Sequence, residues 1–351
     1  MGTLINIILF VFILGILVFV HELGHFITAK KSGVHIYEFS IGMGPKIKSI
    51  KGKDEINYSI RAFPIGGFVQ MAGEVYEDDD TKKIPKDKFL CNRPWYQRLI
   101  ILCAGVFNNF LLAVLLLFFI ALIWGAPSLK PVVSGVTEGG AAEQAGIRAG
   151  DTIISINGKK TKTLDRVQLF LLLKDKDNTY EIKVKHDNGE KETFSVTPIE
   201  EEIDGEKVYK FGIYTIAEKK KGFINALKYS FQKLFSTMDQ MYQTLANLFT
   251  GKIKMNQLSG PVGIYSVVGE TRKSGIQNVI YLMAYLSINL GVMNILPIPA
   301  LDGGHVFFLL IEIITKKKVN EKVEAITTTI FFALLMILMV FITINDIIKL
   351  I

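Results

Sequence analysis

The sequence predicts a polytopic α-helical membrane protein: four transmembrane helices, a membrane-associated β-hairpin loop and an inserted α+β domain. Three observations lead there. Four stretches (4–29, 99–124, 279–301 and 325–345) cover 96 of the 351 residues and hold one formally charged residue, Glu22. Each reaches the ~20 residues that cross a bilayer. The other 255 residues carry 72 charges, about 28%, an ordinary density for chain in water. Residues 131–200 alternate short apolar runs with turn residues, as a soluble β-rich domain does. A single soluble domain is thereby excluded. Disorder and a disulfide scaffold are excluded too, because aliphatic content is high and only Cys91 and Cys103 are present. Both are expected as free thiols, with no CxxC metal or redox pattern.

The N-terminal membrane half is assigned to 1–125. Its first span, about 4–29, starts without a basic n-region or a small-residue cleavage site, so it reads as retained. Residues 34–50 and 55–71 read as two short hairpin-like stretches within a β region of about 34–73. Ile56, Tyr58 and Ile60 alternate with polar residues, Phe63-Pro64-Ile65-Gly66-Gly67 turns, and Phe68, Val69 and Met71 follow. This segment is apolar enough to dip into the bilayer interface, where its backbone must be paired or buried. Residues 75–90 are a charged linker. The second span, about 99–124, contains Ala104-Gly105-Val106-Phe107-Asn108-Asn109, small residues for close helix contact and asparagines that read first as helix–helix glue.

An extracytoplasmic domain is assigned to 126–218. It has an expected strand at 132–136, a short helix at 141–146, a strand at 151–158 entering an Asn-Gly turn, a helix at 164–173, and strands at 179–185 and 192–197. A membrane-proximal segment follows at 219–277. In it Phe223, Leu227, Phe231, Leu234, Met238, Met241, Leu245 and Leu248 form one apolar stripe at helical spacing. Such a helix lies at a membrane interface or packs on protein. The C-terminal membrane half, 278–351, has spans at about 279–297 and 325–348.

Lysine and arginine set the orientation. Residues 1–20 have none. The loop after span 1 has Lys30, Lys31, Lys46, Lys48, Lys51, Lys53, Arg93 and Arg98, and the connection before span 4 has Lys316, Lys317, Lys318 and Lys322. These loops are expected in the cytoplasm, which leaves both termini and the 126–277 region outside. The net charge of +7 is thus a topology signal. No nucleic-acid module is evident, and the lipid bilayer is the expected surroundings.

Span 1 ends in His21-Glu22-Leu23-Gly24-His25. Residues i and i+4 share a helix face. Two imidazoles so placed can hold zinc, with the glutamate between them acting on a water. Three ionisable groups in one span are costly and point to function. A catalytic zinc needs a third protein ligand, and Asp302 is the best candidate. It follows two prolines that break the third apolar stretch and precedes two glycines, in Asn294-Ile295-Leu296-Pro297-Ile298-Pro299-Ala300-Leu301-Asp302-Gly303-Gly304. His21 lies ~26 Å along the helix from Leu4 at 1.5 Å per residue, toward the cytoplasmic leaflet, where Asp302 also falls. His305 and Glu312 compete with it, His305 as an outer partner of the site or as polar filler. A membrane scaffold, a zinc transporter and a membrane protease for soluble loops are the rival readings.

The run 140–158 resembles the PDZ domains of bacterial proteases, modules that bind extended peptides by strand addition. A peptide ligand and a purely steric filter are equal readings here. With the HELGH sequence, Leu258-Ser259-Gly260-Pro261-Val262-Gly263-Ile264 and the 294–304 run, the whole chain resembles the site-2 protease family. The branch is that of the bacterial regulator-of-sigma-E intramembrane metalloproteases. The resemblance implies an intramembrane zinc metalloprotease of the bacterial cytoplasmic (inner) membrane with one Zn2+. The ligands would be His21, His25 and Asp302, with Glu22 as general base. It implies that Asn289 and Asn294 hold unwound substrate and that the 56–71 segment is a membrane re-entrant β-loop, so that Gly66, Gly67 and Phe68 join the substrate-binding residues. Single-span membrane proteins are the implied substrates, of the anti-sigma factor or signal-peptide remnant type, cut in regulated intramembrane proteolysis. Only one PDZ-like unit is evident, unlike the two of some members.

Overall fold

The computed structural model describes residues 2–73, 84–172, 179–203, 206–215, 218–253, 255 and 258–350. The charged linker read at 75–90 lies outside them up to residue 83. In chain order, α1 (Gly2–Lys31) precedes β1 (Ile36–Lys51), β2 (Asn57–Met71) and α2 (Trp95–Trp124). Next come β3 (Ala126–Pro127), β4 (Gly135–Val136), α3 (Ala141–Ala145), β5 (Thr152–Ile156), β6 (Lys159–Lys160) and α4 (Leu164–Leu172). These are followed by β7 (Tyr180–Lys185), β8 (Lys191–Val196), β9 (Ile199–Ile203), β10 (Glu206–Lys210), β11 (Ile213–Tyr214), β12 (Lys219–Lys220) and α5 (Phe223–Phe249). The chain ends with α6 (Pro261–Lys273), α7 (Ile276–Ile295), α8 (Asp302–Thr315) and α9 (Glu321–Leu350). These elements form two compact units, 1–116 with 255–351, and 117–254.

In the first unit, α1, α2, α7 and α9 are long and apolar enough to cross a membrane, as the hydropathy pattern requires of a multi-pass protein. On α9, Ile326, Ile330, Phe332, Leu334, Ile337 and Phe341 are exposed. In water so large an apolar face is a liability, whereas acyl chains cover it at no cost. One side of α1 packs Ile13 and Leu17 against Val268 of α6 and Val279 of α7. Further along, Ala29 joins Val34, Ile36, Phe39, Ile56, Val69 and Ile101 in a second core beneath the β1–β2 sheet. That sheet corrects the expectation of two separate hairpins. The strands interleave: residues 38–41 face 57–60 on one side and 67–70 on the other, while 46–51 run against 61–57. The bends are held by buried Glu38, which accepts from Arg61 at 2.9 Å and pairs with Lys46 at 2.6 Å.

Two helices were not expected. In α6, Pro261 occupies the first turn, where its missing N–H costs nothing. Buried Asp346 of α9 accepts from the backbone N–H groups of Gly260 and Gly263, both at 2.8 Å. The Ser-Gly-Pro-Val-Gly segment is therefore a helix start pinned by a distant carboxylate. The third apolar stretch, read as a span to about 297 broken by two prolines, is helical to Ile295. After α7 the chain turns through two prolines and restarts as α8, with Asp302 in its first turn. At 14 residues α8 is about 21 Å long, too short to cross the ~30 Å hydrocarbon core.

In the second unit the sheet order is β6-β5-β7-β8. Ile153, Ile156, Ile182, Val184 and Val196 form its buried face, closed by Val133, Ala142, Ile147 and Val167. The Asn-Gly turn after β5 has φ of 48° at Asn157 and 74° at Gly158, the left-handed pair a tight hairpin demands. The strand expected at 132–136 is shorter: only β4 pairs, with β11, and Val132 bridges Thr152. The β9–β10 hairpin was not foreseen, since Glu200, Glu201 and Glu202 hide any alternation.

The helix α5 turns its polar side inward. Ala226, Tyr229, Ser230, Lys233, Leu234, Ser236 and Thr237 are buried. Phe223, Ile224, Leu227, Phe231 and Phe235 are exposed. The inward anchor is Asp165 of α4, which accepts from Lys233 Nζ and from Ser236 Oγ, each at 2.6 Å. Removing one partner of such a buried pair costs about 3–5 kcal/mol, because the other charge stays buried alone. One carboxylate on α4 thus anchors the polar side of the first half of α5 and leaves Phe223, Leu227 and Phe231 of the apolar stripe uncovered by protein.

Candidate metal centre

Both imidazoles sit on α1 one turn apart, with ring centroids separated by 4.8 Å. They are held against α2 because Gly24 and Gly105 carry no side chain. A Cβ on Gly105 would collide with His25 Nε2 and lie 2.6 Å from His21 Cε1. The site thus needs a glycine at 105 to admit the two rings. Helix α8 brings the third group. His21 Nε2 is 3.1 Å and His25 Nε2 3.3 Å from Asp302 Oδ2, and the two Nε2 atoms are 3.3 Å apart. His21, His25 and Asp302 form the one group of this kind among the described residues, its ligand atoms all within 4.8 Å of one another.

The donor set fits a zinc ion. Asp302 Oδ2 is buried without a hydrogen-bond partner, an expensive arrangement that a cation between it and the two Nε2 atoms relieves. The outer nitrogens are also arranged for this. His25 Nδ1 donates to the Ile101 carbonyl at 2.8 Å, which leaves Nε2 with a free lone pair facing inward. His21 Nδ1 is 3.1 Å from the side-chain amide of Asn109. The contacting atom is Asn109 Nδ2. An imidazole that uses Nε2 on a metal keeps its proton on Nδ1, so the metal-bound state requires the amide turned over to present Oδ1, which is otherwise buried without a partner. Asn109 is fully buried and its backbone carbonyl accepts from Ser287 Oγ of α7 at 2.8 Å.

Glu22, between the histidines, faces β2. A Cβ on Gly67 would lie 3.4 Å from Glu22 Cγ, so the strand backbone passes directly beside the carboxylate, with the Val69 amide as its hydrogen-bonding partner. Asn294 Nδ2 comes within 3.4 Å of His21 Nε2. Asn289 Oδ1 is buried without a partner. Gly66 packs on Met43 and Phe68 lies under the Arg61 guanidinium at 4.7 Å, so of the three residues read together there, Gly67 is the one at the carboxylate. The competitors for the third position are engaged elsewhere. His305 Nδ1 pairs with Glu324 at 3.0 Å and Glu312 accepts from Arg98 at 2.8 Å.

HExxH helices recur across several metalloprotease groups, so the motif alone leaves the family open. The model of the Peptidase family M50 matches residues 9–338. The chain belongs to this family. The regulator of sigma-W protease RasP of Bacillus subtilis is 34% identical over 418 aligned residues, covering 97% of this chain and 98% of the relative. The zinc metalloprotease RasP of Bacillus licheniformis is 32% identical over 417, covering 97% and 98%. That of Geobacillus kaustophilus is 32% identical over 420, covering 99% of both. This M50 peptidase is therefore a zinc metalloprotease of the site-2 type, and its four apolar helices make it a multi-pass membrane enzyme.

Sequence reasoning missed two supporting residues, Gly105 and Asn109, which it read as helix packing. The signal was present: an asparagine and a glycine four residues apart, in the span that must face HELGH. Gly105→Ala is expected to lower zinc affinity by at least about tenfold, the scale seen when a ligand's support is lost. Alanine favours a helix over glycine by about 1 kcal/mol, so a weakened helix cannot be the cause. Chelator competition on the purified enzyme measures it, and wild-type affinity would remove Gly105 from the site.

Proposed function

We propose that this M50 peptidase hydrolyses peptide bonds in or near the transmembrane segments of single-span membrane proteins. His21, His25 and Asp302 hold its zinc and Glu22 acts as general base. The observation that carries this reading is the orphaned Asp302 oxygen beside two Nε2 atoms on a helix that crosses the membrane. When bound, the ion polarises the scissile carbonyl and acidifies the attacking water. Glu22 takes that water's proton as the C–O bond forms and gives it to the amine as the C–N bond breaks. The backbone at Gly67 and Val69, beside Glu22, pairs with substrate by strand addition, which a helical substrate must unwind to accept. The freed backbone N–H and C=O groups find further partners in Asn289 and Asn294, and the unpartnered Asn289 Oδ1 is an acceptor of that kind.

The 126–218 region acts as a single PDZ-like domain outside the cytoplasm, as a peptide-binding module or a steric filter. Both termini are outside and the active site lies toward the cytoplasmic leaflet. Substrates are of the anti-sigma factor or signal-peptide remnant type. The name of the Bacillus subtilis relative, a regulator of sigma-W, supports the first type, and the lysine-rich loops support the orientation. The decisive experiment is proteomics of membrane fragments that accumulate with Glu22→Gln in place. Fragments cut within soluble loops, with none retaining an uncut span, would overturn the reading. Asn289→Leu should lower cleavage of a single-span substrate severalfold with zinc retained, by analogy with other lost backbone-binding amides. A wild-type rate would return Asn289 to helix packing.

A further inference from the structure

The second unit holds a cavity of about 910 Å³ between α4, α5 and the segment that follows α2. Six lysines line it: Lys130, Lys159, Lys160, Lys162, Lys220 and Lys228. None has a carboxylate partner among the described residues. Of the residues that line the cavity, Asp239 alone is acidic, and Arg166 already grips both its oxygens, at 2.7 and 2.9 Å. The Arg166 Nε is buried with no acceptor. Like charges gathered around one space repel unless an anion sits among them. All of these lysines but Lys130 lie more than about 20 residues from a span end, where charge carries little topology signal, so their concentration here serves something other than orientation.

The surroundings say what kind of anion. Ala126 lines the cavity two residues past Trp124, the end of a helix that crosses the membrane. Chain length alone keeps the cavity at the membrane boundary. Helix α5 starts against that same span, with Phe223 and Phe118 rings 5.2 Å apart. Its exposed face carries Ile224, Leu227, Phe231 and Phe235, and Phe235 also lines the cavity. A cationic cavity thus opens beside an apolar helix face at the level of lipid headgroups. A free phosphate would use the lysines and leave the apolar face in water. An acidic peptide would do the same.

We propose that this cavity binds the headgroup of an anionic phospholipid, with its acyl chains along the exposed face of α5. The lysines contact the phosphate, Arg166 Nε donates to it, and occupancy holds the second unit at the bilayer surface. This site does not depend on the zinc centre or on the substrate class proposed above.

The test is native mass spectrometry of the full-length enzyme in mild detergent. It uses an equal mixture of phosphatidylglycerol and phosphatidylcholine with the same acyl chains. Phosphatidylglycerol should be retained at least about fivefold over phosphatidylcholine, as expected for several lysines acting together. The Lys159→Gln/Lys162→Gln/Lys228→Gln variant should bring that ratio close to one. The matched variant Lys183→Gln/Lys185→Gln/Lys191→Gln, which removes exposed lysines elsewhere in the same unit, should keep the preference. Equal retention of the two lipids by the wild type overturns the proposal, as does equal loss in both variants. Displacement of phosphatidylglycerol by millimolar inorganic phosphate, or by an acidic peptide, also overturns it in favour of a soluble anion site. Unfolding temperatures of the two variants should match, since all six residues changed are exposed.

Discussion

Glu22→Gln should abolish peptide hydrolysis and leave the zinc in place. The side chains differ by one oxygen replaced by an amide nitrogen, so the packing beside Gly67 is kept. The three candidate ligand atoms belong to His21, His25 and Asp302, so no ligand is lost. What disappears is the ability to accept the water's proton and return it to the amine. A positioned general base contributes about 10²–10⁴ in rate, and here one group serves both transfers, so a fall of at least about 10³ is expected. The measurement pairs cleavage of a single-span substrate in vesicles with elemental analysis for zinc. Turnover near wild type would remove Glu22 as the base. Loss of zinc together with activity would instead make it part of the metal site.

The HELGH face and Asp302 were legible because both rest on rules that hold regardless of fold. Spacing of four on a helix puts side chains on one face, and charge in an apolar span is too costly to be idle. The start of α8 was not legible. The two prolines marked where the third apolar stretch breaks, but nothing in the uncharged run 279–301 shows that a second helix starts directly after it. The interleaved strands of the β sheet were hidden for a related reason: alternation gives the face of each residue but not its partner. The face of α5 is the clearest case. Its stripe of apolar residues is regular, but which of its residues protein covers depends on Asp165, some 70 positions earlier, which holds Lys233 and Ser236 inward. The site itself was read one contact deep. The ligands announced themselves, while Gly105 and Asn109, which make room for the rings and orient them, looked like ordinary helix-packing residues.

Asp302→Asn separates a metal ligand from an aspartate that merely starts α8. Asp302 follows the N-cap residue Leu301, so its structural role is its charge at the helix start, worth about 0.3–1 kcal/mol. Asparagine fits the same space, and a structural role would cost no more than that. Loss of a ligand would cost more. Asparagine offers a neutral, weaker oxygen, and the ligand set of His21, His25 and Asp302 loses its one carboxylate. Zinc affinity is expected to fall by at least about a hundredfold, beyond what the loss of a supporting contact costs. Binding to the folded state alone stabilises by RT ln(1 + [L]/Kd). At zinc a hundredfold above the wild-type Kd, that is about 2.7 kcal/mol for the wild type and about 0.4 kcal/mol for the variant. The metal-free proteins should show the opposite order. The wild-type Asp302 Oδ2 is buried without a hydrogen bond when no cation neutralises it, so metal-free Asp302→Asn should unfold at the same temperature as the metal-free wild type or above it. Melting curves with excess chelator and with buffered zinc test both halves. Full zinc stabilisation in the variant, or a marked loss of stability in its metal-free form, would return Asp302 to a helix-starting role and leave the centre with two ligands.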